Sequence, residues 1–231
     1  MNCIDIIEKI ESEHSASKEE YAFLLKNISA GERELLRKKA QKTALNVFGN
    51  KVFIRGLIEI SSVCKNDCRY CGIRKSNRNA VRYRLTKEQI LECCKNGYGL
   101  GFRTFVLQGG EDGYFTDEVM TDIVSTVRKE YPDCAITLSL GERGYQSFKR
   151  LFEAGANRYL LRHETADMEH YNKLHPSKMS FERRRQSLFW LKEIGYQTGA
   201  GFMVGSPYQT FETLAEDLIF IKELNPEMCG I

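Results

Sequence analysis

The sequence predicts an α/β fold, a parallel (β/α) barrel that is incomplete, with about six strands, and that follows an N-terminal helical segment. Short apolar runs alternate with amphipathic stretches from residue 51 onwards, whereas the first 50 residues carry apolar residues at helical spacing only. Apolar residues make up 42% of the 231-residue chain, which is enough for a sizeable core. Repeated strand–helix alternation implies parallel strands joined by right-handed crossovers.

Residues 1–50 are predicted to be helical and to pack on the barrel as a preface, not to form a separate catalytic domain. Three stretches show helical spacing, namely IDIIEKIESE, SKEEYAFLLKN and GERELLRKKAQKTALNVFG. Ser17 is the expected N-cap of the second helix, and Gly49 is expected to end the third.

Residues 51–231 contain six predicted strands, and an amphipathic helix follows each of the first five. The strands are residues 52–61, 104–110, 135–141, 157–165, 197–205 and 228–231. A closed eight-stranded barrel of the TIM type usually needs about 250 residues. The sequence therefore predicts a TIM-barrel-type fold that is incomplete. Because the last strand stops at Ile231, we expect a C-terminally truncated piece of a longer protein.

Charge and hydropathy argue against several function classes. The chain has 34 basic and 31 acidic residues, and a net charge of +3 is too small to predict binding to nucleic acid or to an anionic membrane. No apolar run approaches membrane-spanning length, and the N-terminus lacks a signal-peptide core. The eight cysteines show no disulfide framework. We therefore expect a soluble, cytoplasmic protein.

The stretch VCKNDCRYCGIRK places three cysteines at C-x3-C-x2-C spacing directly after the first predicted strand. Loops at the carboxyl ends of parallel strands are where such folds place their chemistry. Structural zinc normally takes four ligands, and His163 or Cys134 would have to supply the fourth. A four-iron cluster on three thiolates instead keeps one iron open. The spacing favours a [4Fe-4S] cluster on Cys64, Cys68 and Cys71, and a structural zinc protein is the alternative.

The cysteine motif, with Tyr70 before its last cysteine, resembles the signature of the radical S-adenosylmethionine (SAM) superfamily. In that family SAM chelates the open iron, and its reductive cleavage gives a 5'-deoxyadenosyl radical that attacks a substrate inside the barrel. The resemblance therefore implies two cofactors, a [4Fe-4S] cluster and SAM. It also implies an electron donor such as flavodoxin or ferredoxin.

Two further motifs carry the resemblance into the SAM site. In QGGED, Gly109, Gly110 and Glu111 resemble the GGE motif that receives the SAM ammonium, although a glycine turn followed by a solvated acid is the simpler alternative. In YLLRHETA, Glu164 matches the acid that accepts hydrogen bonds from the SAM ribose hydroxyls. Strand alternation predicts that His163 faces the other way, as a structural histidine.

The last SAM contacts implied by the resemblance lie further along the chain. In SFERRRQSL, Arg184 matches the arginine that pairs with the SAM carboxylate, whereas Arg183 and Arg185 are expected on a solvated helix face. Met203 lies in GAGFMVG, which resembles the segment that lies against adenine. Tight packing between a strand and a helix is the alternative for that segment.

Inward-facing residues near the strand ends are the candidate catalytic residues, through contact with the substrate. They are Gln108, Thr137, Ser139 and Arg162. An arginine that faces a cavity is costly unless it is paired with an anion or another acceptor, so Arg162 is the leading candidate. The hydroxyls of Thr137 and Ser139 could equally be satisfied within the sheet.

Essentially the whole chain resembles the HydE-type [FeFe]-hydrogenase maturases, in the group that also contains biotin synthase and methylornithine synthase. The resemblance is carried by RGLIEISSVCKNDCRYCGIRKSN, LQGGED, YLLRHETA and LKEIGYQTGAGFMVG. It implies a small-molecule or iron-complex substrate and other hydrogenase maturation proteins as partners. Biotin synthase fits less well, because its cysteine segment usually contains proline. Methylornithine synthase is the main alternative.

The acids at the predicted strand ends favour maturation over methylornithine formation. Free lysine would need a carboxylate for each ammonium, whereas an anionic iron complex needs a cation such as Arg162. The acids are Glu111, Asp112, Glu142 and Glu164, and SAM is expected to use two of them. Few carboxylates are therefore expected in the cavity.

Overall fold

Six parallel strands form one sheet whose spatial order is the order of the chain. In the computed structural model, which describes residues 1–231, the strands are β1 (Gly56–Ser61), β2 (Thr104–Gly109), β3 (Ala135–Ser139), β4 (Arg158–Leu160), β5 (Gln197–Gly201) and β6 (Met228–Gly230). Each strand pairs in parallel with the next one, and β1 and β6 form the two edges. The predicted parallel α/β architecture is confirmed.

Helices connect the strands and cover one face of the sheet. They are α4 (Lys87–Gly99), α5 (Asp117–Glu130), α6 (Tyr145–Glu153), α7 (Met168–Leu174), α8 (Phe181–Ile194) and α9 (Phe211–Leu224), and three more precede β1, namely α1 (Cys3–Glu13), α2 (Lys18–Asn27) and α3 (Ala30–Phe48). As predicted, Ser17 caps α2, where it forms a reciprocal capping box with Glu20, and α3 ends at Gly49.

Alternate residues of a strand point to opposite faces of the sheet. The main core lies on the face that the helices between the strands cover. The helix-facing residues of the first three strands are all buried: Ile58, Ile60, Phe105, Leu107, Ile136 and Leu138. The other face of the same strands carries Glu59, Gln108 and Ser139, which are direct neighbours across β1, β2 and β3. At the carboxyl ends of these strands, a polar inner face therefore lies opposite an apolar outer one.

The N-terminal helices form a smaller apolar cluster of their own. It contains Cys3, Ile6, Ile7, Ala16 and Leu24. Helix α2 lies against α9, where Lys18 pairs with Glu216. The division of the chain into residues 1–50 and 51–231 stays a prediction. No helix of the chain combines the length and the apolar character that crossing a membrane requires.

All six predicted strands are shorter in the structure, and the first, fourth and fifth lose the most residues. The apolar residues 52–54 precede β1 and are 68–86% exposed. They do not pair with another strand but line an opening at the amino ends of the strands. Strand β4 ends at Leu160, and the chain then turns at Glu164, whose φ of +69° is incompatible with an extended strand. Strand β5 ends at Gly201, before the predicted boundary.

Candidate functional site

The three cysteines of the motif lie on the loop after β1, at the carboxyl end of the sheet, as predicted. All three thiols are free and half-buried. Backbone hydrogen bonds fold the loop, since the Cys71 N–H donates to the Cys68 carbonyl at 3.1 Å and the Lys75 N–H donates to the Asn66 carbonyl at 2.8 Å. The thiols are therefore presented by a defined backbone although the loop has no regular secondary structure.

Hydrogen bonds from the side chain of Arg82 hold the cysteine loop in its conformation. Its guanidinium donates to four backbone carbonyls, those of Ser62, Ile73, Arg74 and Asn77, at 2.5–3.1 Å. Five N–H donors in a planar group suit this multiple role. One arginine of the basic stretch RKSNRNAVRYR is therefore a structural element of the cysteine loop.

The two glycines of QGGED bring the end of β2 against the cysteine loop. A Cβ at Gly110 would lie 2.4 Å from the Val63 carbonyl oxygen and 2.7 Å from the Cβ of Cys64, and a Cβ at Gly109 would lie 3.2 Å from the Ser61 carbonyl oxygen. No side chain fits at Gly110 without displacing the loop that carries Cys64. The glycines are thus required by a close backbone approach to the cysteines.

The acids that follow these glycines are engaged by the protein. Glu111 accepts a hydrogen bond from the Glu142 N–H at 3.0 Å and lies 3.2 Å from Lys65 Nζ. Asp112 accepts from Ser61 Oγ and from Arg84 Nε, both at 2.7 Å. Burial raises the pKa of Asp112, but the hydrogen bonds from Arg84 and Ser61 outweigh burial and hold it below its ordinary value. Both acids therefore join loops at the carboxyl end of the sheet.

A cavity of about 300 Å³ opens beside Cys71 at the carboxyl ends of β1 to β4. Three of the four candidate substrate contacts line it: Gln108, Ser139 and Arg162. Thr137 does not, because it lies two residues below Ser139 on β3, where it is 2% exposed and its Oγ1 has no hydrogen-bond partner. The structure thus brings three predicted contacts together and leaves the fourth beneath them.

Glu59 on β1 also lines this cavity, and the sequence analysis did not include it. Its Oε1 accepts a hydrogen bond from Gln108 Nε2 at 2.7 Å. The strand sequence GLIEIS contained the signal, because an acid between buried Ile58 and Ile60 must point to the face opposite the apolar core. The count of acids at the strand ends therefore omitted one carboxylate of the cavity.

The guanidinium of Arg162 faces the cavity and forms no hydrogen bond or ion pair with the rest of the chain. Only its carbonyl oxygen is engaged, by Arg184 Nη1 at 2.6 Å. Gly230 of β6 leaves room for it, since a Cβ at that position would lie 3.2 Å from Arg162 Nη2. A cation in this position can bind an anion or another acceptor that enters the cavity.

Arg184 on α8 is 6% exposed and already has a protein partner. Its Nε donates to Glu142 Oε1 at 2.5 Å, which leaves Nη2 without a partner in the chain. Burial lowers the pKa of Arg184, but the Glu142 carboxylate outweighs it and the net change is upward. Of its neighbours, Arg183 is exposed above the Trp190 ring, as expected for a solvated face.

Glu164 points into the same cavity from a strained backbone. Its φ is +69°, a region in which a non-glycine residue costs on the order of 1–3 kcal/mol. Its N–H donates to the Gly201 carbonyl at 3.0 Å, and its own carbonyl accepts from the Met203 N–H at 3.1 Å. Burial raises the pKa of the Glu164 carboxyl, and the nearby Arg184 and Arg162 offset only part of this rise.

His163 faces away from the cavity, as predicted, but through a turn and not through strand alternation. The ring is 1% exposed and lies between Phe202 and Phe220, with centroid distances of 5.8 and 4.8 Å. Its Nε2 is 3.3 Å from Asp217 Oδ1. Burial lowers the pKa of His163 despite the neighbouring Asp217, so the ring is neutral.

Tyr70 is held beside the cysteines by His175, which sequence reasoning missed. The two side chains are 2.9 Å apart, and His175 Nδ1 is 2.9 Å from the Tyr171 carbonyl oxygen. The carbonyl can only accept, so Nδ1 carries the proton and the Tyr70 hydroxyl donates to Nε2. Burial lowers the pKa of His175 to about 4, which keeps the ring neutral at neutral pH.

The donor chemistry and the space around the cysteine loop fit an iron–sulfur cluster with an adjacent charged ligand. Three free thiols lie on one loop, Gly110 cradles that loop, and the cavity beside Cys71 offers Arg162 and Glu164. No set of three or more His, Cys, Asp or Glu side chains is arranged to hold a single metal ion. Cys134 is buried in the core, so it does not join the three cysteines as a zinc ligand.

Comparison with known families agrees with this donor set. The model of the radical SAM superfamily matches residues 58–221. The chain belongs to the radical SAM superfamily. Members of this superfamily use a [4Fe-4S] cluster and SAM, so the predicted pair of cofactors is confirmed at the level of the family.

Several radical SAM proteins are similar along nearly the whole chain. The [FeFe] hydrogenase maturase subunit HydE of Thermotoga maritima is 44% identical over 227 residues, which are 98% of this chain and 64% of that protein. The 3-methylornithine synthase of Methanosarcina acetivorans is 34% identical over 226 residues, 97% of this chain and 63% of that protein. The chain thus spans less than two thirds of the length of these relatives.

Solved structures of radical SAM proteins confirm the predicted TIM-barrel-type fold. The crystal structure of methylornithine synthase (PylB) matches with a TM-score of 0.87 at 30% identity and covers 97% of this chain and 66% of that one. HydG, a maturase of the [FeFe]-hydrogenase, matches with a TM-score of 0.85 over 98% of this chain and 53% of that one. At 23% identity, HydG supports the fold alone.

Four of the predicted cofactor contacts lie outside the cavity lining: Tyr70 and Gly110, described above, and Glu111 and Met203. The Glu111 carboxylate borders a separate pocket of about 210 Å³ with Lys65 and Arg143. Met203 follows β5, and its carbonyl accepts a hydrogen bond from Gln209 Nε2 at 2.5 Å. The roles of all four residues toward SAM stay predictions.

Proposed function

We propose that this chain is the radical SAM core of a HydE-type [FeFe]-hydrogenase maturase. The observation that carries the proposal is the 44% identity to HydE over 98% of the chain, against 34% to methylornithine synthase over nearly the same residues. The proposed substrate is a small molecule or an iron complex. The proposed partners are an electron donor such as flavodoxin or ferredoxin and other hydrogenase maturation proteins.

In this proposal Cys64, Cys68 and Cys71 hold the [4Fe-4S] cluster. When bound, the cluster would supply the electron for the reductive cleavage of SAM into methionine and the 5'-deoxyadenosyl radical. The chain contributes the placement of the thiols, since Arg82 closes the loop on four carbonyls and Gly110 admits the loop against β2. Because only three side chains would donate, one iron of such a cluster would be left for SAM.

SAM binding is assigned to groups around the cavity and at its rim. The ribose hydroxyls would donate to Glu164, and the carboxylate of SAM would accept from the unpartnered Nη2 of Arg184. The ammonium would meet Glu111 and the backbone at Gly109 and Gly110. Met203 would lie against the adenine of SAM. The last assigned contact is Tyr70, whose hydroxyl is hydrogen-bonded to His175.

Substrate binding is assigned to the inner face of the sheet. Arg162 provides a cation with no partner of its own, as an anionic iron complex requires. Gln108 and Ser139 supply polar groups on β2 and β3 next to it, while Thr137 lies one level deeper. These residues would orient the substrate and exclude water from the radical.

Glu59 favours a second candidate function, methylornithine formation. A substrate with a free ammonium group, such as lysine, needs a carboxylate, and Glu59 supplies one in the cavity beside Gln108. The structural match to methylornithine synthase supports the same candidate. The cavity therefore offers both a cation and an anion, and its charges alone do not separate the two substrates.

The test is to supply the full-length protein to a HydE-deficient [FeFe]-hydrogenase maturation system and to assay lysine conversion in parallel. Restored hydrogenase activity without lysine turnover is the expected result. Lysine turnover without hydrogenase activity, by a protein that still cleaves SAM, would overturn the HydE assignment and establish the second candidate. The Cys71→Ser variant is the control, because it should lose both activities.

A further inference from the structure

Asp217 is a fully buried carboxylate behind the SAM site. It lies on α9 with 0% exposure, between Ala215 and Phe220, which are buried as well. Its Oδ1 accepts the Ala166 N–H at 2.5 Å and lies 3.3 Å from His163 Nε2, while its Oδ2 has no partner. A buried carboxylate is costly unless its contacts compensate. Asp217 does not line the cavity, so no direct contact with a ligand accounts for it.

The two contacts of Asp217 flank Glu164 in the sequence. His163 immediately precedes Glu164 and Ala166 follows two residues later. The carboxylate is therefore hydrogen-bonded at one end of a short turn with Glu164 at its centre, and at the other end it packs against the His163 ring, whose Nε2 forms no hydrogen bond. This is the turn in which Glu164 has a φ of +69°. From the side of β5, Gly201 and Met203 bind the backbone of Glu164. Asp217 holds the same turn from the side of α9.

No other group in the turn replaces this support. The Thr165 hydroxyl is engaged with His170 Nδ1 at 3.1 Å and with the Asp167 N–H at 3.3 Å. The Ala166 N–H therefore depends on Asp217 alone. Without this acceptor, a buried backbone donor would be left unpaired unless the turn changed its conformation.

We infer that Asp217 is a positioning residue for SAM binding, which keeps the turn of residues 163–166 in the conformation that directs the Glu164 carboxylate into the cavity. The inference rests on the proposed function, in which Glu164 accepts hydrogen bonds from the SAM ribose. Asp217 touches no ligand and acts only through Glu164. If the turn relaxes toward negative φ, the Glu164 carboxylate no longer points at the ribose.

The experiment is calorimetric titration of SAM into the reconstituted protein, for Asp217→Ala, Asp217→Asn, Glu164→Gln and the double variant D217A/E164Q. Glu164→Gln should weaken SAM binding at least about tenfold, because it removes a charge-assisted contact. Asp217→Ala should weaken it by about fivefold to tenfold. Asp217→Asn should stay within about twofold, because its amide oxygen still accepts from Ala166.

The double variant separates positioning from general damage. If Asp217 acts through Glu164, D217A/E164Q should bind SAM no more weakly than Glu164→Gln alone. Glu223→Ala, an exposed acid on the same helix, is the matched control and should leave the affinity unchanged. If Asp217→Ala does not fold, Asp217→Leu removes the buried charge and fills its space, and it should show the same loss.

Each outcome decides between the inference and the proposal beneath it. Unchanged SAM affinity in Glu164→Gln would refute the assigned SAM site itself. A loss in Glu164→Gln without a loss in Asp217→Ala or Asp217→Leu would overturn the inference alone. The inference would also be overturned if Asp217→Ala weakened SAM binding by the same factor in the parent protein and in the Glu164→Gln variant. That result would show a structural effect that does not pass through Glu164.

Discussion

Replacing Arg184 by alanine should destabilise the chain far more than replacing its neighbour Arg183. The side chains of Arg184 and Glu142 are 7% and 15% exposed and are joined at 2.5 Å. Removing the arginine strands the Glu142 carboxylate in a mostly buried position, at about 3–5 kcal/mol. It also leaves the Arg162 carbonyl without its donor, which adds about 1 kcal/mol.

In a chain of this size each kcal/mol corresponds to about 2–4 °C in melting temperature. We therefore expect Arg184→Ala to melt about 8–24 °C below the parent protein. Arg183→Ala should change the free energy of unfolding by less than about 1 kcal/mol, because Arg183 is exposed. It covers the Trp190 ring, 4.6 Å from the ring centroid, and donates one exposed hydrogen bond to the Arg143 carbonyl at 3.3 Å.

The assay is urea unfolding of the cluster-free protein, followed by circular dichroism, together with thermal melts. A double variant, R184A/E142Q, should recover at least about 1 kcal/mol, since it removes the stranded charge. Equal destabilisation by Arg183→Ala and Arg184→Ala would refute the reasoning. So would a double variant that is no more stable than Arg184→Ala.

The cysteine loop and its surroundings give shorter predictions. Replacing any one of the three motif cysteines by serine should abolish the uptake of about four irons per chain in anaerobic reconstitution, whereas Cys134→Ser should retain it. Retained iron in a motif variant would count against the ligand set. The three motif cysteines are Cys64, Cys68 and Cys71. Gly110→Ala should lower the free energy of unfolding by about 1–3 kcal/mol, because its Cβ would lie 2.4 Å from a carbonyl oxygen. Gly113→Ala is the control and should not lower it, because a Cβ there would lie in open space. Similar values for both variants would contradict the close approach. The pKa of His175 is lowered from 6.5 to about 4, so the unfolded chain takes up the proton first and stability falls as the pH drops through this window. The fall should be about 1.5 kcal/mol between pH 6.5 and 5 in urea titrations, and His175→Gln should flatten it. Parallel pH profiles of the two proteins would show that another group is responsible.

The sheet and the cysteine loop could be predicted because their signals are local in the sequence. Alternating apolar residues such as Ile58 and Ile60 mark strands, and the cysteine spacing marks the loop after β1 as the candidate cluster site. The same local signal wrongly extended the first predicted strand over residues 52–54, which are apolar but lie outside the sheet, at the amino ends of the strands. Hydrophobicity alone does not show whether a neighbouring strand is within reach at that point.

The support of the site could not be predicted, because it comes from residues far apart in the chain. Asp217 is 51 positions from Ala166, and in the sequence AEDLIF it is indistinguishable from a surface acid. Glu142 is 42 positions from Arg184, and only the packed structure shows that they form a buried pair. Glu59 is different, since its strand position alone placed it on the inner face.

The identity of strand order and chain order has a consequence for the making of this protein. Each strand pairs with its predecessor, so the sheet can grow at one edge while the ribosome is still at work. Helix α2 is the exception, because its partner is α9, and Lys18 and Glu216 are 198 positions apart. At synthesis rates of about 5–20 residues per second, the first helices wait about 10–40 s for that partner. Helix α2 therefore stays without its packing partner until strands β1 to β5 have been synthesised.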